Sequence, residues 1–290
     1  MPEKPLVSVI IPTYNRAHTL GRSIGSVLRQ TYRNFELVVV DDGSTDETKA
    51  FVEELGDPRI KYFYKPNAGA TAARNYGVAR ASGTWVMYLD SDDELLPECI
   101  DTMLEWAGRH PEAVFAFPRA DRVLELYENG KLVSSIDDSG DTPEHFTIHD
   151  IFMRNAGFGC DGFMYLRRLA SEGLVWDEKL KSMEDWELMM TIGERYPEGF
   201  LYVPVVLYKY RQRFGSDNMV SKAQYGTWAD AFEYIYRKHK TDKMLAGQTW
   251  YPAKVEKWRR YQKEFEEGKR PAYQYHYFPD SSRGRGNMLK

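Results

Sequence analysis

The sequence predicts an α/β protein with a Rossmann-like, mostly parallel sheet, helices on both faces and a helical C-terminal extension. Three observations lead there. In the first hundred residues, short continuous apolar runs alternate with segments whose apolar residues recur at helical spacing, the pattern of repeated β-α-β units. Three of the first four apolar runs end in polar clusters, and the carboxyl ends of strands are where open α/β sheets collect ligands. From about residue 222 onward only the helical spacing persists.

In chain order, "LVSVIIPTYN" reads as a buried strand ending in Thr13, Tyr14 and Asn15. "AHTLGRSIGSVLRQ" follows as a helix, with Leu20, Ile24, Val27 and Leu28 on one face. "FELVVVDDGS" is the second strand, ending in Asp41 and Asp42, and "TDETKAFVEEL" is a helix for which Thr45 is the expected N-cap. "IKYFYKP", "GATAARNYGVARA" and "TWVMYLD" complete a β-α-β-α-β-α-β order. "PECIDTMLEWAGRH" forms a helix after Pro97, and "AVFAFPRADRVLELYENGKLVSSI" forms strands around an Asn129-Gly130 turn. Residues 137–146 read as a polar loop, followed by a short helix near "IHDIFMRN", a strand in "GFMYLRRL", a mostly buried helix in "MEDWELMMTIGERY" and a last strand in "YVPVVLYKYR". Two helical stretches close the pattern. In the second, Tyr251, Val255, Trp258, Tyr261 and Phe265 form an apolar stripe flanked by basic residues. That stripe has two readings: packing on the rest of the chain or on a second copy in a homo-oligomer, and a membrane-surface or acceptor-binding helix.

A net charge of −4, with 42% hydrophobic and 28% charged residues, describes a globular protein with no global attraction to nucleic acid. No run approaches the roughly 18 apolar residues of a membrane span, and the N-terminus lacks a signal-like pattern, so a cytoplasmic location is expected, with peripheral membrane contact tied to the basic stripe. Cys99 and Cys160 lack both a disulfide framework and zinc-ligand spacing.

The chemistry concentrates in "VMYLDSDDELLP", where a buried run meets Asp90, Asp92, Asp93 and Glu94. Like charges crowded at a strand end are costly, and a hard cation relieves them. Mg2+ or Mn2+ is held by one or two carboxylates plus phosphate oxygens and water, so Asp90, Ser91 and Asp92 make a half-site that a diphosphate would complete. An Asp-x-Asp alone is weak evidence, since solvated acidic loops are common. The acidic tip "VVVDDGSTD" is open to two readings, a base-edge acceptor and a turn-and-cap device. "NAGATAARN" offers a helix start with Arg74 for an anionic ligand, without a Walker lysine or G-x-G-x-x-G spacing. In "SMEDWELMM", Glu184 and Asp185 begin a helix, where carboxylates serve as caps or as catalytic groups.

Together, "VSVIIPTYNR", "LRQTYRNFELVVVDDGSTDET", "NAGATAARNYGVARASGTWVMYLDSDDELLP" and "MEDWELMM" resemble the family 2 glycosyltransferases of GT-A fold, over about residues 5 to 215. Each motif is modest; four in order at matching intervals are specific. The resemblance implies residues 1–215 as the catalytic domain, with 1–110 the nucleotide-binding half and 111–215 the acceptor-binding half, and 216–290 as the helical extension and tail. It implies a nucleotide-sugar donor, usually UDP-linked, a hydroxyl-bearing acceptor such as a glycan, Mn2+ or Mg2+ as cofactor, and inversion at the anomeric carbon. By motif position Pro12, Thr13 and Tyr14 would line the base site, Asp41 would pair with the uracil, and Asn67 and Arg74 would contact nucleotide or diphosphate. Asp90 would sit near the ribose, Asp92 would ligate the metal, Asp185 would be the general base and Glu184 an orienting or acceptor-site group. One departure stands out in "YKYRQRFGSDNMVS": Arg213 lies where many members carry a His, beside Arg211 and the Ser216 loop expected to close on the diphosphate. A cation there can neutralise phosphate without coordinating metal, so metal dependence is expected to be weaker. A sugar-phosphate nucleotidyltransferase is the enzymatic rival, though "PTYNRAHTL" lacks its Gly-rich basic loop, and a non-catalytic binding relative is the rival of another class.

Overall fold

The computed structural model describes residues 4–128, 131–138, 162–214, 225–239 and 250–269. The four apolar runs of the first hundred residues are strands β1 (Val7–Thr13), β2 (Phe35–Asp41), β3 (Ile60–Tyr64) and β4 (Trp85–Tyr88). Every residue of β1, β2 and β4 is buried. Their side chains divide by strand periodicity: Ile10, Val38, Val40 and Val86 face one core, and Val9, Ile11, Leu37, Val39 and Met87 face the other. That is why these runs are continuously apolar rather than alternating. Helices α1 (Ala17–Leu28), α2 (Thr48–Glu54) and α4 (Cys99–Arg109) seal the second core through Leu20, Ile24, Val52 and Met103. Helix α3 (Ala70–Val78) seals the first.

The remaining strands are β5 (Glu94–Leu95), β6 (Phe115–Glu128), β7 (Lys131–Asp138), β8 (Met164–Leu166) and β9 (Phe200–Phe214). The sheet order is β3-β2-β1-β4-β8-β6-β9-β5, with β7 paired to β6. The first four strands are parallel, as expected, but β8 pairs antiparallel with both β4 and β6, so the sheet as a whole is mixed. Two reversals cancel. Strands β6 and β9, parallel to each other, therefore end at the same sheet edge as β1, β2 and β4.

Two local expectations change. Thr45 does not cap α2: its N–H donates to Asn15 Oδ1 at 2.8 Å, while the Asp46 carboxylate accepts from Thr48 N at 3.1 Å and takes the capping role. Strand β7 runs through Asp137 and Asp138, the first two residues of the expected polar loop. The rest of that loop, the Asn129-Gly130 turn, the helix near residue 150, Cys160 and Ser216 lie outside the described residues.

A short helix α5 (Arg168–Ser171) precedes α6 (Glu184–Arg195), and α7 (Tyr225–His239) and α8 (Trp250–Glu266) close the chain's described part. Phe232 of α7 packs edge-on against Trp186 of α6, with ring centroids 5.6 Å apart. Polar ties reinforce the contact: the buried Glu187 carboxylate meets Lys238 at 2.7 Å and His239 at 3.0 Å, and Asp177 accepts from Tyr234 and Lys238, each at 2.8 Å. Trp258 of α8 stacks on Trp228 of α7 at 5.4 Å, so Val255 and Trp258 of the apolar stripe are packed within the chain. No helix among the described residues is long and apolar enough to cross a membrane.

Helix α3 approaches the sheet closely because residue 77 is glycine. A Cβ there would lie 2.6 Å from Ile10 Cγ2 and 3.2 Å from Val40 Cγ2. Gly77→Ala is expected to destabilise the protein by about 1–3 kcal/mol through overpacking, outweighing alanine's helix propensity of about 1 kcal/mol. Urea unfolding measures it, and an unchanged midpoint would contradict the close approach.

Candidate active site

A cleft of about 730 Å3 opens at the shared strand edge. Pro12, Thr13 and Tyr14 line it from the end of β1, with Tyr14 48% exposed and its ring open to a planar ligand. The turns after β1 and β2 are laced together: Asn15 N donates to Ser44 Oγ at 2.8 Å, and Asn15 Oδ1 accepts from Thr45 N. Asn15 holds this position with φ of 52°, a left-handed conformation that asparagine tolerates.

The two acids after β2 separate into different tasks. Asp41 is fully buried and is not among the residues lining the cleft; its Oδ1 accepts from Ser44 N at 2.7 Å and its Oδ2 from Tyr62 Oη at 2.6 Å. Its neighbour Asp42 does line the cleft. Asp42 accepts from Lys65, from Ala68 N at 3.0 Å and from Gly69 N at 2.7 Å, which folds the Asn67 loop onto the strand end. The Ala68 N–H is shared with the second oxygen at 3.2 Å, so each oxygen of the Asp42 carboxylate accepts two hydrogen bonds. Asn67 also lines the cleft.

The acids of "DSDDE" divide likewise. Asp93 is buried and accepts from Arg211 N at 2.6 Å, anchoring the loop to β9. Asp90 accepts from Arg74 Nη2 at 2.6 Å. The Asp92 carboxylate lines the cleft and accepts no hydrogen bond from the described residues. Burial and the charge of Asp90 push its pKa up, while Arg16, Arg213 and Arg22 oppose the shift. Among the described residues no three metal-ligating side chains converge. A divalent cation would thus take Asp92 from the chain and its other ligands from diphosphate and water, a donor set that suits Mg2+ or Mn2+.

Arg74, on the buried face of α3, connects the loop after β4 to α6. Its side chain is 4% exposed, pairs with Asp90 at 2.6 Å and Glu184 at 3.2 Å, and lies 4.6 Å above the Trp176 ring. Glu184 lines the cleft; Asp185, the next residue, is half-buried and accepts from Trp186 N at 2.7 Å. Burial first, then the charge of Glu184, pushes the Asp185 carboxyl up to about 7, against the pull of Trp186 N–H and Arg74. The preceding Met183 has φ of 59°, an unfavourable left-handed conformation for a bulky residue, held where α6 begins. On the opposite wall Arg211 and Arg213 line the cleft from β9, which extends to Phe214, so both arginines are on a strand and not in a loop.

The structure therefore brings Pro12, Thr13, Tyr14, Asn67, Arg74, Asp90, Asp92, Glu184, Arg211 and Arg213 to one cleft, with Asp185 adjoining and Asp41 behind it. Asp42, which the sequence left between a base-edge acceptor and a turn-and-cap device, also lines it, as do Arg16 and Lys181.

The family model for "Glycosyl transferase family 2" matches residues 8–174 of the chain. The chain belongs to glycosyl transferase family 2. Its relatives include the UDP-Glc:alpha-D-GlcNAc-diphosphoundecaprenol beta-1,3-glucosyltransferase WfgD of Escherichia coli, 36% identical over 53% of this chain and 58% of WfgD. The putative colanic acid biosynthesis glycosyl transferase WcaA of E. coli K12 is 30% identical over 68% of this chain and 70% of WcaA. An uncharacterized glycosyltransferase of Rickettsia felis is 40% identical over 45% of this chain, a match spanning only 21% of that longer protein. Among solved structures, S. aureus TarS 1-349 in complex with UDP-GlcNAc superposes with a TM-score of 0.64 at 20% identity, covering 89% of this chain and 72% of TarS. The fold of this family 2 chain is thus GT-A.

An ionised Asp185 is held at a cost to the fold of this family 2 protein. With a folded pKa near 7 against an ordinary 3.8, the folded state binds more protons across that window, so stability falls as pH rises through it. Asp185→Asn is expected to raise the melting temperature at pH 8, with the gain shrinking toward pH 4. An equal effect at both values would refute the raised pKa.

Arg74→Met leaves Asp90 and Glu184 facing each other without their cation. It should cost about 2–3 kcal/mol, less than for a fully buried pair because both acids are partly exposed. Denaturant unfolding reads this, and an unchanged midpoint would count against the triad.

Proposed function

We propose that this chain is an inverting glycosyltransferase that moves a sugar from a UDP-linked donor to an acceptor hydroxyl in glycan or polysaccharide synthesis. One observation carries the reading: a cleft that holds the unbonded Asp92 carboxylate is bordered, across Arg74, by a helix start whose Asp185 has a pKa near neutrality. The first suits a metal-bound diphosphate and the second suits a general base working near pH 7.

In this reading the base lies against Pro12, Thr13 and Tyr14, and Asp42 accepts from its imide edge. Asp41, expected there, lies behind the cleft with its carboxylate bonded to Ser44 and Tyr62, whereas Asp42 lines it, which supports Asp42 for this role. Asn67 and Arg74 face the nucleotide and Asp90 the ribose side. A divalent cation on Asp92 supplies, when bound, Lewis-acid stabilisation of the departing diphosphate. Arg211 and Arg213 add positive charge on the same side. Asp185 takes the proton of the acceptor hydroxyl as its oxygen bonds to the anomeric carbon, and the bond from that carbon to the diphosphate oxygen breaks on the opposite face. Glu184, held by Arg74, orients the acceptor. One displacement inverts the configuration.

TarS, crystallised with UDP-GlcNAc, and WfgD, named for a UDP-Glc donor, support a UDP sugar. A solved mannosyltransferase from Pyrobaculum calidifontis in complex with GDP-Man and Mn2+ has the same fold at a TM-score of 0.54 and 16% identity, covering 93% of this chain and 78% of its own. WfgD's lipid-diphosphate-linked sugar supports a lipid-linked glycan as acceptor, with the enzyme working at a membrane surface.

Calorimetric titration with UDP, GDP, TDP and CMP sugars, with Mn2+ and with chelator, tests the reading. Metal-enhanced binding of the UDP class is expected, and Asp92→Ala should abolish the enhancement. Asp185→Asn should keep UDP affinity and lower kcat by about 100-fold or more. The wild-type rate should fall as pH drops through about 7, where Asp185 gains its proton. Near-normal transfer by Asp185→Asn would remove it as the base.

A further inference from the structure

Beside the acidic loop lies a charge network that stands behind the two cleft arginines, Arg211 and Arg213. The Glu125 carboxylate of β6 is 1% exposed and meets three guanidinium groups: Arg22 of α1 at 3.0 Å, Arg211 at 2.6 Å and Arg213 at 3.6 Å, the last two from β9. Glu94 of β5 takes second contacts from Arg22 at 3.6 Å and Arg211 at 3.1 Å. The Tyr127 hydroxyl donates to Glu125 Oε2 at 3.0 Å, and the Tyr127 ring lies 5.5 Å from the Arg213 guanidinium.

Three cations meet two carboxylates in this network, with the Asp92 charge close to Arg22 and Arg213, and the ion pairs are unevenly shared. Arg22 and Arg211 each pair with both glutamates. Among the described residues Arg213 forms an ion pair with Glu125 alone, 3.6 Å from its Nε, and both its Nε and Nη2 are buried without a hydrogen bond there. Its side chain is 13% exposed and lines the cleft. An arginine left to itself has great rotamer freedom, and a guanidinium nitrogen buried without an acceptor is costly. Something must hold it, and Glu125 and Tyr127 are what it touches.

We propose that Glu125 is a positioning residue that holds Arg213 by this ion pair, so that the guanidinium stays at the cleft wall for an anionic group of the donor, the diphosphate. Glu125 touches no substrate and acts through Arg213. Because Arg22 comes from α1, and Arg211 also binds the Asp93 carboxylate through its backbone N–H, the same carboxylate couples this cation to the loop that bears Asp92. The assignment rests on reading the cleft as a nucleoside-diphosphate site, and it implies a part of diphosphate affinity that persists without metal.

The test is binding of UDP by calorimetry, and of uridine by ligand-observed NMR, in chelator and in Mn2+, for the unaltered chain, Glu125→Gln, Arg213→Gln and the double variant. In chelator, Glu125→Gln should weaken UDP by about tenfold and leave uridine unchanged, the loss expected for one charge-assisted contact. The double variant should bind UDP no more weakly than Arg213→Gln alone, since both act through one guanidinium. Unchanged UDP affinity, parallel loss of UDP and uridine, or additive losses in the double variant would each overturn the role of Glu125. Should Glu125→Gln fail to fold in a thermal melt, Glu125→Asp keeps the charge and withdraws the carboxylate by one methylene. It should weaken UDP selectively, and unaltered UDP affinity would overturn the proposal. Failure of the unaltered chain to bind UDP under either condition would instead overturn the donor reading, and this assignment with it.

Discussion

The Arg74 guanidinium is the tie on which the geometry of the cleft depends. It is nearly inaccessible to water, and a charge so placed is tolerated only with close partners. Those partners come from the loop after β4 and the start of α6, separated by 94 residues of chain between Asp90 and Glu184. One side chain thereby sets the spacing between the acid loop and the helix bearing Asp185. The Trp176 ring beneath it limits tilt, and Gly77, one turn further along α3, lets the helix lie near enough to the sheet for Arg74 to reach both.

Electrostatics across the cleft follow from the same arrangement. Each crowded acid except Asp92 has a specific donor: Arg74 for Asp90, the Arg211 amide for Asp93, the Arg22 and Arg211 side chains for Glu94. The repulsion expected of "DSDDE" is relieved at every position but one. That remaining carboxylate and the incompletely satisfied Arg213 are both on the cleft wall, which leaves the cleft one acid and one cation whose hydrogen bonding is incomplete among the described residues.

Much of this was legible in the sequence because it is local. Buried strands wrote themselves as apolar runs, and the acids at their ends marked the ligand edge. What was not legible depends on partners distant in the chain. Asp41 and Asp42 are adjacent, chemically identical and both buried, and only their partners, Tyr62 for one and the Ala68 and Gly69 amides for the other, distinguish the residue behind the cleft from the one that lines it. Thr45 looked like a cap until Asn15, thirty residues earlier, took its amide. Glu125 gave no signal at all, since one glutamate in a strand reads as a solvated residue; alternation along "RVLELYE" with Leu124 and Leu126 would even have placed it on the outer face. The antiparallel β8 was equally hidden, because three residues carry too little pattern to reveal direction.

Helix α7 clasps α6 through Phe232, Lys238 and His239, although it lies later in the chain than every residue of the cleft. During synthesis the strand edge of the cleft emerges before α7, and until α7 follows, α6 lacks the Lys238 and His239 partners of Glu187. The order of translation therefore separates two events in time: the strand edge can form first, and the helix start that carries Asp185 is clasped later. A chain built this way sets one wall of its cleft last.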